Sequence, residues 1–386
     1  TWEQAQPFRT LAHNGEINTL KGNINWMKSH EVRMSSAAFG EYNSSIKNVI
    51  QPGSSDSAAI DSVFELLVRS GRDAPMVKTI LIPESWSNKT AMPDAWRSMY
   101  SYCNSIMEPW DGPAAIAATD GRWVIGGMDR NGLRPMRYSI TNDKLLFIGS
   151  ETGMVPIDES NITHKGRVGP GEMIAVDLAE GRLFFDEEIK NKLALSNPYD
   201  EWVKHVVTFD QLKKTKNSIS IYKKEDLRRR QVAVGISIEE IELILHPMAE
   251  SGKEATGSMG DDTPIAVLSE SYRGLHHYFR QQFSQVTNPP IDSLRERRVM
   301  SLKTRFGYLG NLLDQKPDKT SFLLIDSPVV SSTDLLTMKE YWGKKFLEID
   351  CTFEVQDENL SNALKRISIE AEEAVRKGYV HIILTD

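Results

Sequence analysis

Hydrophobic residues recur at helical spacing in three segments near the start of the chain: residues 16–40, 57–70 and 90–107. In the middle segment, Asp56 or Ser57 is predicted to cap the helix, because a short polar side chain there can accept a hydrogen bond from a free backbone N–H. Gly71 is predicted to end this helix. Its apolar face is formed by Ile60, Val63, Phe64 and Leu67.

Between residues 113 and 186 the hydrophobic pattern changes to that of short strands. Paired runs flank polar turns at Asp120-Gly121, Asn142-Asp143 and Glu180-Gly181, which predicts three successive hairpins. Helices followed by hairpins indicate an α+β domain with antiparallel sheets. The predicted strands are Ala114–Thr119, Trp123–Gly127, Arg137–Thr141, Lys144–Ile148, Met173–Asp177 and Arg182–Phe185.

A change of composition divides the chain after residue 196. Residues 197–230 are polar and basic, and we interpret them as a linker between a first domain at 1–196 and a second at 231–386. The basic cluster of this linker is interpreted as a solvated face, with a contact surface as the alternative.

The second domain begins with a predicted capping box, Ser237 to Glu240. Pro247 is predicted to end that helix near residue 246. Further along, a helical pattern at 358–377 follows a strand-like run at 321–325 and leads directly into another at 379–384. This alternation indicates an α/β domain.

Charge and composition narrow the class of protein. A formal net charge of −7 at pH 7 argues against nucleic-acid binding, which usually needs a basic surface. No apolar run approaches the roughly 18 residues that span a bilayer, so we expect a cytoplasmic protein without a membrane partner. Two cysteines, Cys103 and Cys351, fit a reducing compartment and are too few for a cysteine-ligated cluster within this segment. Cys103 is predicted to be a buried apolar group.

The segment from Phe8 to Thr19 carries the candidate chemistry. An apolar run enters a polar turn at Asn14-Gly15. Gly15 can adopt backbone angles that point its N–H outward, and the Asn14 amide adds a second donor. Two convergent donors are what a hydrolase uses to stabilise a developing oxyanion. Asn-Gly is also a common hairpin turn, and this reading stays open from the residues alone.

The run Ala12-His13-Asn14-Gly15-Glu16-Ile17-Asn18-Thr19 resembles the glutamine amidotransferase domain of the glutamate synthase large subunit. His-Asn-Gly is shared by class II amidotransferases, and the continuation Glu-Ile-Asn-Thr is similar to glutamate synthase. The resemblance extends over essentially the whole chain. It implies a fold of the N-terminal-nucleophile (αββα) type that lacks its first part, followed by part of an α/β central domain.

Carried over by residue, the resemblance implies that Asn14 and Gly15 form the oxyanion hole and that Asp56 holds the α-ammonium of glutamine. A helix cap is the alternative role for Asp56. His13 is interpreted as a structural residue. The family's N-terminal Cys nucleophile has no counterpart near the start of this sequence, so we expect the segment to be inactive alone, and Thr1 is disfavoured as a substitute.

The parent enzyme implied by the resemblance hydrolyses glutamine and channels ammonia to 2-oxoglutarate, forming glutamate at an FMN centre. Electrons arrive through an iron–sulfur cluster, from a small subunit with FAD and NADPH or from ferredoxin. The implied partners are L-glutamine, an FMN/2-oxoglutarate domain of the same parent chain expected beyond Asp386, and the small subunit. No cofactor or metal ligands are expected in this segment. Residues 257–264 and 278–292 resemble central-domain signatures, interpreted as interdomain packing or part of the ammonia route.

Two other functions fit part of the pattern. One is a different class II amidotransferase, making an aminosugar, a purine precursor or asparagine, but residues 231–386 carry no phosphosugar or phosphoribosyl motif. The other is a non-catalytic scaffold or interaction module with an amidotransferase-like fold, which the missing nucleophile also fits. A Cys that is encoded upstream and exposed by processing would favour the enzyme over the scaffold.

Overall fold

A computed structural model describes residues 8–86, 91–212, 222–252, 267–268, 270, 301–307, 310–315 and 322–386. The chain forms two units: Thr1–Lys213 together with Pro290–Asp386, and Lys214–Pro289. The domain limits at residues 196 and 231 stay predictions, and Thr1 and the stretches 257–264 and 278–292 lie outside the described residues.

Two antiparallel sheets are formed by strands in the N-terminal part of the first unit. Strands β1–β8 are Leu11–Gly15, Ala114–Thr119, Trp123–Met128, Arg137–Thr141, Leu146–Gly149, Ile162–Arg167, Met173–Asp177 and Arg182–Phe184. The larger sheet has the order β1-β2-β3-β7-β8, and the smaller has the order β5-β4-β6. The three predicted hairpins are confirmed, with small shifts at the strand ends.

Helices precede and follow these strands in the chain. Helices α1–α6 are Leu20–Glu31, Asp56–Arg69, Ala74–Leu81, Asp94–Ile106, Asp186–Ala194 and Tyr199–Trp202. A short strand β9, Val207–Thr208, and helix α7, Phe209–Leu212, come next. The predicted apolar face of α2 is confirmed, since Ile60, Val63, Phe64 and Leu67 are fully buried, and Cys103 is buried as predicted.

Two neighbouring glycines of β3 show how the layers are stacked. A Cβ added to Gly126 would lie 2.8 Å from Ile148 in the smaller sheet. A Cβ added to Gly127 would lie 2.9 Å from Lys78 Cε in α3. Successive strand residues point to opposite faces, so the larger sheet packs between helices and the smaller sheet. The antiparallel α+β organisation agrees with the prediction, whereas the four-layer αββα arrangement stays an expectation.

The cap of α2 differs from the prediction. The Ser55 hydroxyl accepts the Ala58 N–H at 3.2 Å, so Ser55 is the N-cap rather than Asp56 or Ser57. Ser55 keeps an extended backbone, as a cap residue does, while Asp56 is already the first helical residue. The Asp56 carboxylate is therefore not used as the helix cap.

The second unit contains helix α8, Lys224–Ala233, and a longer helical run, with α9 at Ile238–Glu240, a π-helical turn at Ile241–Leu245 and α10 at His246–Ser251. The predicted capping box is confirmed by reciprocal bonds between Ser237 and Glu240. The predicted end near residue 246 is wrong. Pro247 sits in the first turn of α10, where its missing N–H costs little, and Gly252 ends the run.

The C-terminal part of the first unit is mixed. Strand β10, Thr304–Gly307, is antiparallel to β11, Phe322–Ile325, and β11 is parallel to β9. Helix α11, Ser332–Trp342, leads to β12, Phe346–Asp350, and helix α12, Leu360–Arg376, leads to β13, His381–Thr385. The predicted strands at 321–325 and 379–384 and the helix at 358–377 are confirmed with small shifts at their ends, whereas α11 and β12 were not predicted. The strand that pairs in parallel with β13 across α12 is β12, and β11 lies in another sheet.

Candidate active site

Asn14 and Gly15 are the last two residues of β1, beside the start of β2, and do not form the polar turn predicted from the sequence. Gly15 is paired with Ala114, about a hundred residues further along the chain. Glu16 N–H then donates to the Pro113 carbonyl at 2.9 Å, and Asn18 N–H to the Asp111 carbonyl at 2.8 Å. Because both residues belong to a strand that pairs with a distant part of the chain, they are not the turn of a hairpin, and that alternative reading of the sequence is wrong.

Gly15 occupies a position that admits no side chain. A Cβ added there would lie 1.8 Å from the Pro113 carbonyl oxygen and 2.9 Å from His13 Nε2. Real Cβ atoms do not approach so closely, and the backbone of Pro113 cannot move aside without breaking the bond to Glu16. The close approach of these two backbone segments therefore requires glycine.

Asn14 is held by a residue that the sequence did not single out. Its Nδ2 donates to the Ser150 hydroxyl at 2.9 Å, directly after β5. This is the one hydrogen bond that the Asn14 amide makes to the described residues, and it uses one of two amide hydrogens. The second hydrogen is left for another acceptor.

The Asp56 side chain lies beside the same end of β1. Its Oδ2 accepts the Ile17 N–H at 2.9 Å and lies 3.8 Å from His13 Nδ1. Across the described ranges no hydrogen bond reaches its Oδ1, and the side chain is 21% exposed. Asp56 thus presents an accessible carboxylate oxygen beside Ile17, which is two residues after Gly15.

His13 joins β1 to α2. Its imidazole is fully buried, and Nδ1 lies 2.8 Å from the Ser57 hydroxyl. Burial lowers the pKa of His13, although the neighbouring Asp56 carboxylate acts in the opposite direction. The imidazole is therefore neutral at pH 7, and its contacts are those of a structural residue.

A second residue missed in the sequence fixes the start of β1. The Asp61 carboxylate is buried and accepts the N–H groups of Arg9, Thr10 and Leu11 at 3.1, 2.9 and 3.0 Å. It also accepts the Thr10 hydroxyl at 2.7 Å. The available signal was a carboxylate within the apolar run Ala58-Ala59-Ile60-Asp61 of a helix. Asp61 and Asp56 therefore attach both ends of the β1 segment to α2.

The described residues show neither a metal-binding group nor a membrane-spanning helix. Within the described ranges, no three His, Cys, Asp or Glu side chains lie together as a metal-binding group. Nor does any helix in that part of the chain have the length and apolar character to cross a bilayer. The two cysteines do not fit an iron–sulfur cluster, which needs four thiolates, and Cys103 is buried in the core.

Comparison with known proteins identifies the family. The profile described as "Glutamine amidotransferases class-II" matches residues 1–202, a little more than half of the chain. The chain belongs to the class II glutamine amidotransferases. The profile "Glutamate synthase central domain" matches residues 229–386.

Several curated relatives align over the whole chain. The NADPH glutamate synthase large chain of Azospirillum brasilense is 60% identical over 391 aligned positions, and that of Bacillus subtilis is 40% identical over 388. The chloroplastic ferredoxin-dependent glutamate synthase of Spinacia oleracea is 41% identical over 394. The alignments cover 100% of this chain but only 26%, 25% and 24% of the respective relatives, so the chain spans about a quarter of their length.

Proposed function

We propose that this chain is part of a glutamate synthase and forms the oxyanion and ammonium contacts of its glutamine-hydrolysing site. The proposal rests on one observation. The Asp56 carboxylate lies beside the end of β1, where it accepts the Ile17 N–H and is close to the His13 imidazole. The family membership and the relatives' names supply the reaction class.

The oxyanion contact comes from the end of β1. When a nucleophile attacks the side-chain amide of glutamine, negative charge develops on the carbonyl oxygen. The free amide hydrogen of Asn14 and the Gly15 N–H stabilise that charge. Ser150 holds the Asn14 amide at 2.9 Å, so the donor is oriented before the reaction and needs little reorganisation.

The ammonium contact comes from the start of α2. The Ile17 N–H occupies Asp56 Oδ2 and fixes the carboxylate plane, while Oδ1 receives the α-ammonium of glutamine. The neutral His13 does not compete as a cation for Asp56, because its burial disfavours the imidazolium. The charge of Asp56 is thus available to the substrate.

The nucleophile and the cofactors belong to other parts of the proposed parent. Resemblance to the family assigns the attack to an N-terminal Cys, and FMN, the iron–sulfur cluster and the electron-donating subunit to the glutamate-forming reaction. The described residues supply neither, and the proposal gives them the binding of glutamine and the stabilisation of the oxyanion. L-glutamine and the FMN/2-oxoglutarate domain are the proposed partners of this segment.

The proposal is tested by glutamate formation from 2-oxoglutarate by the product of the complete gene, with glutamine or with ammonium chloride as nitrogen donor. Electrons are supplied by the small subunit with NADPH or by reduced ferredoxin. Asn14→Ala should abolish most of the glutamine-dependent rate and leave the ammonia-dependent rate unchanged. A variant that keeps the glutamine-dependent rate would exclude Asn14 from the oxyanion hole. A protein that forms no glutamate from either donor would exclude the synthase.

A further inference from the structure

A cavity of about 290 Å³ in the first unit has a lining that does not include Asn14, Gly15 or Asp56. Its lining includes Trp86 and Trp110, which follow α3 and α4, and Ser301, Lys303 and Arg305 from the segment that leads into β10. The proposed glutaminase site uses none of these residues. The cavity is below the size of typical pockets for drug-sized ligands and suits a small metabolite.

Three hydrogen-bond donors that line this cavity have no partner among the described residues. The Arg305 guanidinium makes neither a hydrogen bond nor an ion pair there, and the same holds for the amide of Asn104. The indole N–H of Trp110 is buried and unpaired, with 2% of the residue exposed. A buried donor without an acceptor costs free energy, and an unpaired guanidinium costs more.

The two carboxylates that line the cavity are paired with other groups. Glu84 accepts Lys190 at 2.7 Å and the Tyr100 hydroxyl at 2.8 Å, and Asp111 is paired with Arg130 at 2.8 Å. Burial lowers the pKa of Arg305 to about 10, with no neighbouring carboxylate opposing it. The guanidinium is still charged at pH 7, so the cavity presents an uncompensated cation.

Lys303 adds a second positive charge to the lining of the cavity. Lys303 directly precedes β10, two residues before Arg305, and is 3.6 Å from the exposed Asp326, too far for a normal hydrogen bond. With Lys303, Arg305, Trp110 and Asn104 in its lining, the cavity combines positive charge with neutral N–H donors.

We propose that this cavity binds a small oxyanion, a carboxylate or a phosphate group, with the Arg305 guanidinium as its main contact. The planar fork of arginine matches two oxygens of either group. Trp110 and Asn104 donate to the remaining oxygens, and the indole ring of Trp86 forms an apolar wall. The proposal is independent of glutamine hydrolysis.

The test is calorimetric titration of the complete gene product with sodium phosphate and with sodium succinate, each against sodium chloride at equal ionic strength. Tryptophan fluorescence is recorded in parallel, because Trp86 and Trp110 line the cavity. Arg305→Gln removes the charge, Arg305→Lys keeps it without the fork, and Arg376→Gln alters an exposed arginine on α12 as a matched control.

Saturable binding of phosphate or succinate is expected in the wild type, and the anion that binds identifies the ligand group. Arg305→Gln should weaken it about 10- to 100-fold, as expected for a hydrogen bond to a charged group. The affinity of Arg305→Lys should lie between those of the wild type and Arg305→Gln. The affinity of Arg376→Gln should match that of the wild type. Binding no stronger than that of chloride, or equal binding by Arg305→Gln, would overturn the proposal.

Circular dichroism establishes that each variant is folded. If Arg305→Gln does not fold, Trp110→Phe provides the decisive variant, since it removes the indole N–H and keeps an aromatic ring. It should weaken binding about 2- to 10-fold. Unchanged affinity in Trp110→Phe would then count against the cavity as the binding site.

Discussion

Lys78 places a positive charge where the fold does not stabilise it. The side chain is 1% exposed, and its ammonium makes no hydrogen bond or ion pair with the described part of the chain. Burial lowers its pKa from 10.5 to about 8, and Lys190 acts in the same direction against weaker opposition from Asp186, Glu84 and Asp129. Replacement of Lys78 by the apolar Met should therefore stabilise the protein.

The magnitude follows from the two pKa values. Their difference of about 2.5, at about 1.4 kcal/mol per pKa unit, corresponds to roughly 3 kcal/mol. The folded pKa lies below the unfolded one, so the penalty is complete below pH 8 and disappears as the pH rises towards 10.5. Lys78→Met should raise the free energy of unfolding by about 3 kcal/mol at pH 7 and by much less at pH 10.

The assay is urea unfolding at 25 °C, followed by fluorescence, for wild type and variant at both pH values. The difference between the two proteins isolates Lys78 from other groups that titrate. Lys190→Met is the matched control, because its ammonium is buried but paired with Glu84 at 2.7 Å and Asp186 at 2.8 Å. Its loss should destabilise by about 3–5 kcal/mol.

Two results would refute the reasoning. One is a Lys78→Met variant that is less stable than wild type at pH 7. The other is a stability difference of the same size at pH 7 and pH 10, since it could not arise from the ammonium charge.

Three further substitutions test residues in and around β1. Gly15→Ala should lower the melting temperature and remove glutaminase activity, because its Cβ meets the Pro113 carbonyl at 1.8 Å; Gly22→Ala, in open space, is the calorimetric control. Asp61→Asn should reduce the free energy of unfolding by about 2–3 kcal/mol in urea, because an amide N–H replaces one acceptor oxygen; an unchanged value would contradict its anchoring role. Ser150→Ala should reduce kcat for glutamine hydrolysis up to about 10-fold with little change in KM, and a rise in KM alone would argue against its orienting Asn14.

Local patterns predicted most of the elements. The hairpins around Asp120-Gly121 and Glu180-Gly181 follow from turn chemistry and alternating apolar residues, which are local properties. The cap of α2 was misplaced by one residue because Ser55, Asp56 and Ser57 are all competent caps, and backbone geometry chooses among them. Pro247 did not end its helix because it lies in the first turn of a new α-helical segment, directly after the π-helical turn.

The candidate site was predictable only where its residues share a motif. Asn14 and Gly15 are adjacent, and Asp56 was reached through family resemblance. Ser150 lies 136 residues from Asn14, and no local pattern links the two. Contacts of this kind depend on how the sheets stack, which follows from tertiary packing rather than from local preference.

Glutamine hydrolysis by the product of the complete gene tests the central claim most directly, with kcat and KM measured for wild type, Asn14→Ala and Asp56→Asn. Asn14→Ala should lower kcat about 100- to 1,000-fold with little change in KM, because it removes a contact made in the transition state. Asp56→Asn should raise KM about 10- to 100-fold through loss of the ammonium contact. Near-wild-type values of both constants in either variant would contradict the account.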